Sequence, residues 1–318
     1  MRLPAPFCER LLDIHKQELG RVLLMSAYLL LVIASYTTTK AVRDSLFVTN
    51  IGPAQLPYMY LVIAGAMGLV SLVYSNAVHR IGLHRLIQVT SLAAISNLLL
   101  FWLLFKHQTP IWFYVLYVWV SMFGAITGSQ SWLLATHVFN PREARRVFTW
   151  IGVGGILGGI LGGGLTNRMA GWFGTESLLI ACATMMAVTL VLLGRVTKFA
   201  TTDSGEAVRA APAEENERTG AGALFHQVRQ SRHLTMMVLL LSAAVIVEAF
   251  IDYEYKFVAK QSFSSKDQLT AFFGSITFYI GIFSLLFQML ATNRILKRFG
   301  VGWAILILPA GLLVAFVR

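Results

Sequence analysis

Charge is scarce in this sequence. Asp, Glu, Lys and Arg make up 13% of its 318 residues and hydrophobic residues 56%. Soluble domains carry about 25% charged residues. That deficit excludes a water-soluble globular core of this length. Cysteine is nearly absent: Cys8 precedes the first apolar run and Cys182 lies inside a later one. Two such cysteines exclude a disulfide framework. The seven histidines show no HExxH or Cys/His ligand spacing, so no metal site and no cofactor are expected. Ser131 and His137 stand at no recognisable catalytic motif, and no enzymatic activity is expected. The net charge of +11 comes without an aromatic-interleaved basic patch, so nucleic acid is not an expected partner.

What the chain does have is apolar runs of membrane-spanning length. A helix needs roughly 20 apolar residues to cross about 30 Å of hydrocarbon. Nine segments meet this pattern, at roughly 22–48, 55–77, 86–105, 111–136, 148–166, 173–194, 234–258, 269–291 and 301–318. Breakers separate them at Gly52-Pro53, Gly82, Pro110, Pro141, Gly171 and Gly300. No cleavable signal peptide precedes the first run, which reads as a signal anchor. Eighteen Lys and Arg residues fall on the side of the N-terminus and seven on the other, with Arg318 ending the chain. The positive-inside rule therefore predicts a cytoplasmic N-terminus in the cell inner membrane.

Residues 199–222 are small, polar and partly acidic, which is a linker composition. The expected organisation is a six-helix half over 1–198, a cytoplasmic linker over 199–233 and an incomplete second half of three helices over 234–318. The second half echoes the first. Ser75-Asn76-Ala77-Val78-His79-Arg80-Ile81-Gly82-Leu83 and Asn293-Arg294-Ile295-Leu296-Lys297-Arg298-Phe299-Gly300-Val301 both read basic, Arg, apolar, Gly at the same point of the topology. Six-plus-six duplication is the major-facilitator plan. The expected fold class is thus an all-α polytopic helical membrane protein, major-facilitator-like, with about nine transmembrane helices. On that plan three further spans are missing, and the chain reads as a fragment; the alternative is a nine-span protein that lacks half of its second block.

Ionised residues inside spans mark the candidate site, because each costs about 2.5–3.5 kcal/mol at the bilayer centre on insertion scales. The first span carries Lys40, Arg43 and Asp44, with Tyr36, Lys40, Arg43 and Phe47 on one helical face. They face either a cavity or, by snorkelling, the membrane surface. The seventh carries Glu248, Asp252 and Lys256 at successive i,i+4 steps, with Glu248 deepest in the apolar run. This cluster suits a cation-bearing solute, a proton, or a structural ion-pair network. Lys40, Arg43, Glu248 and Lys256 are the expected substrate contacts. Asp44, Asp252, Arg80 and Glu143 are candidates for coupling or gating. Glu143 belongs to Asn140-Pro141-Arg142-Glu143-Ala144-Arg145-Arg146, otherwise an orienting basic loop. The run from Gly152 to Gly164 looks superficially like a phosphate loop but lacks the Gly-Lys-Ser/Thr ending. Its stripes Gly154/Gly158/Gly162 and Gly155/Gly159/Gly163 predict close helix packing instead.

Three strings carry a family resemblance. Ser35-Tyr36, continued by Lys40-Ala41-Val42-Arg43-Asp44-Ser45-Leu46, resembles the ATP/ADP translocase family of bacteria and plastids. Pro141-Arg142-Glu143-Ala144-Arg145-Arg146-Val147-Phe148 is similar to that family's segment before a Gly-rich fifth helix. Val247-Glu248, followed by Tyr255-Lys256, is similar to its seventh-helix Glu and Lys. The family's acid near the fourth helix would fall at Thr136-His137, where no acid stands. The resemblance implies nucleotide exchange, with ATP or ADP as the small-molecule partner, Arg43 as a basic contact and Glu248 as an acidic one. Two other readings stay open: a proton-coupled transporter of another solute working through Asp44, Glu248 or Asp252, and a non-transporting membrane scaffold or sensor.

Overall fold

The structure, a computed structural model, describes residues 16–105, 109–203 and 230–289. Eight long helices follow one another: α1 (Lys16–Asn50), α2 (Leu56–Ile81), α3 (Leu83–Leu104), α4 (Pro110–Val138), α5 (Pro141–Phe173), α6 (Leu178–Asp203), α7 (Arg232–Ser262) and α8 (Lys266–Phe287). All eight are long and apolar enough to cross a membrane. The protein is an all-α, polytopic membrane protein. This is the architecture that lipid allows, since a helix satisfies its own backbone hydrogen bonds where no water can. The expected ninth span at 301–318 and the echo of Ser75–Leu83 at 293–301 lie outside the described residues.

Helix boundaries follow backbone chemistry. Pro110 and Pro141 open α4 and α5, where a missing N–H costs nothing. Gly82 alone separates α2 from α3 and holds φ at 76°, in the left-handed region that favours glycine. Helix α1 has 35 residues, about 52 Å at about 1.5 Å per residue. It therefore projects beyond the hydrocarbon. Its polar start meets the equally polar start of α5, where Arg146 pairs with Glu18 at 3.2 Å and Arg21 with Glu143 at 3.5 Å.

The ends of α1, α3, α5 and α7 gather at one end of the bundle, called distal because it lies opposite the start of α1. A hydrophobic core fills each end. The distal core contains Leu46 and Phe47 of α1, Leu98 and Phe101 of α3, Tyr117 of α4 and Leu179 of α6, and it extends to Ala259 of α7 and to Leu269 and Phe273 of α8. The core near the N-terminus contains Met25, Val32, Ile87, Leu134, Ile151 and Leu193. Among the described residues it takes nothing from α7 or α8. Along α7 every side chain from Met236 to Glu248 is exposed within the bundle.

Helix α5 is the central packing element. In lipid, helices associate by close contact rather than by the hydrophobic effect, so small residues decide which faces meet. A methyl group at Gly158 would stand 2.3 Å from the Leu30 carbonyl oxygen, and one at Gly154 would stand 2.6 Å from that of Ser26. At Gly162 it would meet Thr37 Oγ1 at 2.2 Å. The Thr38 hydroxyl seals this seam by donating to the Gly162 carbonyl at 3.2 Å. The second expected stripe divides between neighbours. Gly155 packs on Leu29 of α1, Gly159 meets open space, and Gly163 lies against Gly274 and Phe278 of α8. The backbones of α5 and α8 touch where Gly163 and Gly274 oppose each other. Overpacking a tight seam costs about 1–3 kcal/mol. Gly158→Ala is therefore expected to lower the midpoint of thermal unfolding in detergent, while Gly159→Ala leaves it unchanged; intrinsic tryptophan fluorescence against temperature measures both.

Candidate functional site

The ionised residues of α1 and α7 converge. Their approach follows from the medium: a charge in an apolar bundle needs a partner, and both helices carry charges of both signs at neighbouring depth. Asp44 Oδ1 accepts from Arg43 through Nε at 2.8 Å and Nη2 at 2.6 Å. The same oxygen lies 3.2 Å from Lys256 Nζ. Lys256 also donates to Asp252 Oδ2 at 2.6 Å and to the Tyr117 hydroxyl at 3.1 Å. An ammonium has three donors, and here each has an acceptor. The Tyr60 hydroxyl donates to Asp252 Oδ2 at 2.7 Å. Arg43 Nη1 donates to Ser121 Oγ at 2.7 Å, and the guanidinium sits 4.3 Å from the centre of the Tyr117 ring.

This network is buried. Arg43 is 6% exposed, Asp44 4% and Lys256 1%. It ties four helices together: α1 through Arg43 and Asp44, α2 through Tyr60, α4 through Tyr117 and Ser121, and α7 through Asp252 and Lys256. A cavity of about 460 Å³ opens beside it between α1, α7 and α8. Its polar wall is Lys40 and Asp44 from α1, Glu248 and Asp252 from α7, with Thr37 and Thr277. Its apolar wall includes Tyr36, Tyr255 and Phe273. Small-molecule sites typically measure about 300–1,000 Å³ and combine apolar walls with a few convergent polar groups. A roomier groove of about 1070 Å³ between α7 and α8 is walled by Phe250, Val258, Phe263 and Phe272. It has one acid, Glu254, and lacks converging charge, so the smaller cavity is the better candidate.

The structure thus separates the expected site residues into three groups. Lys40 and Glu248 stand on the cavity wall, with Asp44 and Asp252. Arg43 and Lys256 lie behind that wall, held by the two aspartates. Glu143 is elsewhere, at the start of α5, where it accepts from the Asn140 N–H at 3.2 Å and pairs with Arg21. Arg80 falls in the last turn of α2, with its side chain outside the described residues. Although Lys40 and Asp44 stand four residues apart on α1, the ion pairs of Asp44 are with Arg43 and, across the bundle, with Lys256.

Several side chains of this network escape sequence reasoning. Tyr60, Tyr117 and Ser121 are uncharged and carry no motif; the one available signal is that a tyrosine hydroxyl deep in an apolar span needs a partner. The distal clasp is equally hidden. Asp267 Oδ1 accepts from the Thr175 N–H at 2.8 Å and the Thr175 hydroxyl at 2.6 Å, while Lys266 pairs with Glu176. Ser45 of α1 donates to the Lys266 carbonyl at 2.6 Å.

Comparison with known proteins bears on what such a site handles. The model of a family described as "TLC ATP/ADP transporter" matches residues 4–108 and 79–318. A relative from Rickettsia conorii, "ADP,ATP carrier protein 4", is 23% identical over 235 residues, which cover 69% of this chain and 45% of that protein. The chain spans about half the length of the curated relative it matches. No solved structure matches.

Removing one member of a buried ion pair costs about 3–5 kcal/mol, because the other charge is stranded. Lys256→Ala is expected to destabilise the protein by about that amount. In the double variant Lys256→Ala/Asp252→Ala the loss should be smaller than the sum of the single losses, by roughly 0.5–3 kcal/mol of coupling. A double-mutant cycle of denaturant unfolding in detergent micelles measures both quantities.

Proposed function

The chain belongs to the TLC ATP/ADP transporter family, and on that premise we propose that it is a secondary transporter that exchanges nucleotides, ATP against ADP, through the cavity between α1, α7 and α8. The observation that carries this reading is the convergence of ionised groups from the first and seventh helices beside a cavity in an apolar bundle. In a transporter built from two related halves, the substrate sits between them near the middle of the membrane. Residues 1–198 then form one half, 199–233 the cytoplasmic linker, and 234–318 begin the other. The N-terminus faces the cytoplasm, as the excess of basic residues on that side indicates.

Each wall residue has a role under this reading. Lys40, half-buried and on the cavity wall, meets the phosphate chain. Arg43 and Lys256 add positive potential from behind. The faces of Tyr36 and Tyr255 offer stacking surfaces for the base, a contact worth about 1–3 kcal/mol. Glu248 accepts hydrogen bonds from the ribose hydroxyls or the base amine. The protein changes no covalent bond of its substrate; it supplies two alternately exposed sides of one site.

A second reading has its own observation. Three carboxylates, Asp44, Glu248 and Asp252, share the wall with the single ammonium of Lys40. This balance suits a proton-coupled carrier of a solute that bears positive charge.

Proteoliposomes made with the intact chain separate the readings. Labelled ATP should enter, and unlabelled ADP inside should accelerate its entry. Absence of nucleotide flux, together with uptake of another solute driven by a pH gradient, would favour the second reading. A charged hydrogen bond to substrate contributes about 1.5–3 kcal/mol, or roughly 10- to 100-fold in apparent affinity. Lys40→Ala is expected to weaken ATP uptake by that factor without loss of membrane insertion, and Glu248→Ala to do so through the base or ribose.

A further inference from the structure

We infer that the contact between Asp44 and Lys256 is a latch that holds the distal end of the cavity shut, built so that the two sides part without stranding a buried charge. The inference rests on the transporter reading above, and three observations support it.

The first is where α7 and α8 join the other helices. The distal core runs through α7 and α8, while the core near the N-terminus takes nothing from them among the described residues. Polar ties across the same boundary gather at the distal end too. They are Lys256 to Asp44 and Tyr117, Tyr60 to Asp252, Ser45 to Lys266, Glu176 to Lys266, and Thr175 to Asp267 and Thr270. Among the described residues, the core contacts and polar ties that join α7 and α8 to the other helices thus concentrate at the distal end.

The second is how the charges pair. Arg43 and Asp44 are neighbours on α1, in contact at 2.6 Å. Asp252 and Lys256 are one turn apart on α7, also at 2.6 Å. The ion pair that crosses between the helices, Lys256 to Asp44, is longer at 3.2 Å. If α7 withdraws, α1 keeps a neutral pair and α7 keeps another. The stranded charge that makes breaking a buried pair so costly does not arise. Parting loses the cross-contact and the hydrogen bonds of Tyr60 and Tyr117, all replaceable by water once the end opens.

The third is position. Asp44 lines the cavity and touches Lys256 through the same oxygen that holds Arg43. An anion that enters the cavity thus competes with Asp44 for the Lys256 ammonium, and success loosens the latch.

The test reads the distal end directly. Thr270 is fully buried in the distal clasp, so a cysteine there reacts with a membrane-impermeant maleimide only when that end opens. In the intact chain with Thr270→Cys, and with Cys8 and Cys182 replaced by Ser, Asp44→Asn should raise the labelling rate roughly tenfold with no substrate present, the shift expected when one state loses an ion pair. Lys256→Gln should do the same. The charge exchange Asp44→Lys/Lys256→Asp keeps a cross-pair but leaves α1 with two cations and α7 with two anions. It should label more slowly than the parent, because opening would then strand like charges. Unchanged labelling in both single variants, or parental labelling in the exchanged variant, would overturn the latch. Faster labelling of the parent on adding ATP supports the nucleotide reading. A parent indifferent to ATP overturns that reading while the single variants still report on the latch.

Discussion

A charge placed among apolar helices must find a counter-charge there. That constraint organises this molecule. Lys256 has no route to water, being almost wholly buried, and its three donors are taken by Asp44, Asp252 and Tyr117. Those acceptors belong to α1, α7 and α4. Satisfying one ammonium therefore fixes the relative depth of three helices, and Tyr60 brings in a fourth. The adjacent aromatic packing follows from the same placement. Phe47, four residues after Arg43, lies 4.6 Å from the Tyr117 ring and 5.4 Å from that of Tyr114. Polar and apolar contacts thus reinforce one register at the distal end.

The same constraint explains what the amino-acid order discloses. Spans are legible because hydrocarbon thickness sets the length of an apolar run. Their ends are less so: α1 is already helical at Lys16 and α5 reaches Phe173, beyond the apolar runs 22–48 and 148–166. Hydropathy registers the part of a helix in hydrocarbon, not the polar turns that project past it. The site is legible in its ionised members, since Lys40, Arg43, Asp44, Glu248, Asp252 and Lys256 are conspicuous against an apolar background. Their partition is not. Which of them face the cavity and which lie behind it depends on contacts between residues more than 200 positions apart, as with Asp44 and Lys256. For Glu143 the charge is visible in the sequence, while its partner Arg21 and its bond to the Asn140 N–H are not.

Helix α5 joins α1 to α8. Its glycines at 154, 158 and 162 let it sink into α1, whose backbone oxygens approach within van der Waals distance. That contact continues along much of both helices. The contact with α8 is as extensive: Gly163 opposes Gly274, and the side chains of Phe278 and Ile160 fill the space beside Gly164 and Gly281. Polar ties from Thr175 to Asp267 and from Lys256 to Asp44 add to it at the distal end.

Charge bookkeeping around the cavity bears on what it can hold. Three carboxylates and one ammonium line the wall, which looks hostile to an anion. Two of those carboxylates are already answered from behind: Asp44 by Arg43 and Lys256, Asp252 by Lys256. Counting all six groups, three cations meet three anions, and the site is neutral when empty. Among the described residues, the two wall charges without an ion pair of this kind are Lys40 and Glu248, which present one positive and one negative group to the same space. A solute with a phosphate at one end and hydrogen-bond donors at the other fits that polarity. It would also bring net negative charge into a neutral site. Under the exchange proposed above, each nucleotide carries that excess away again before the next one binds.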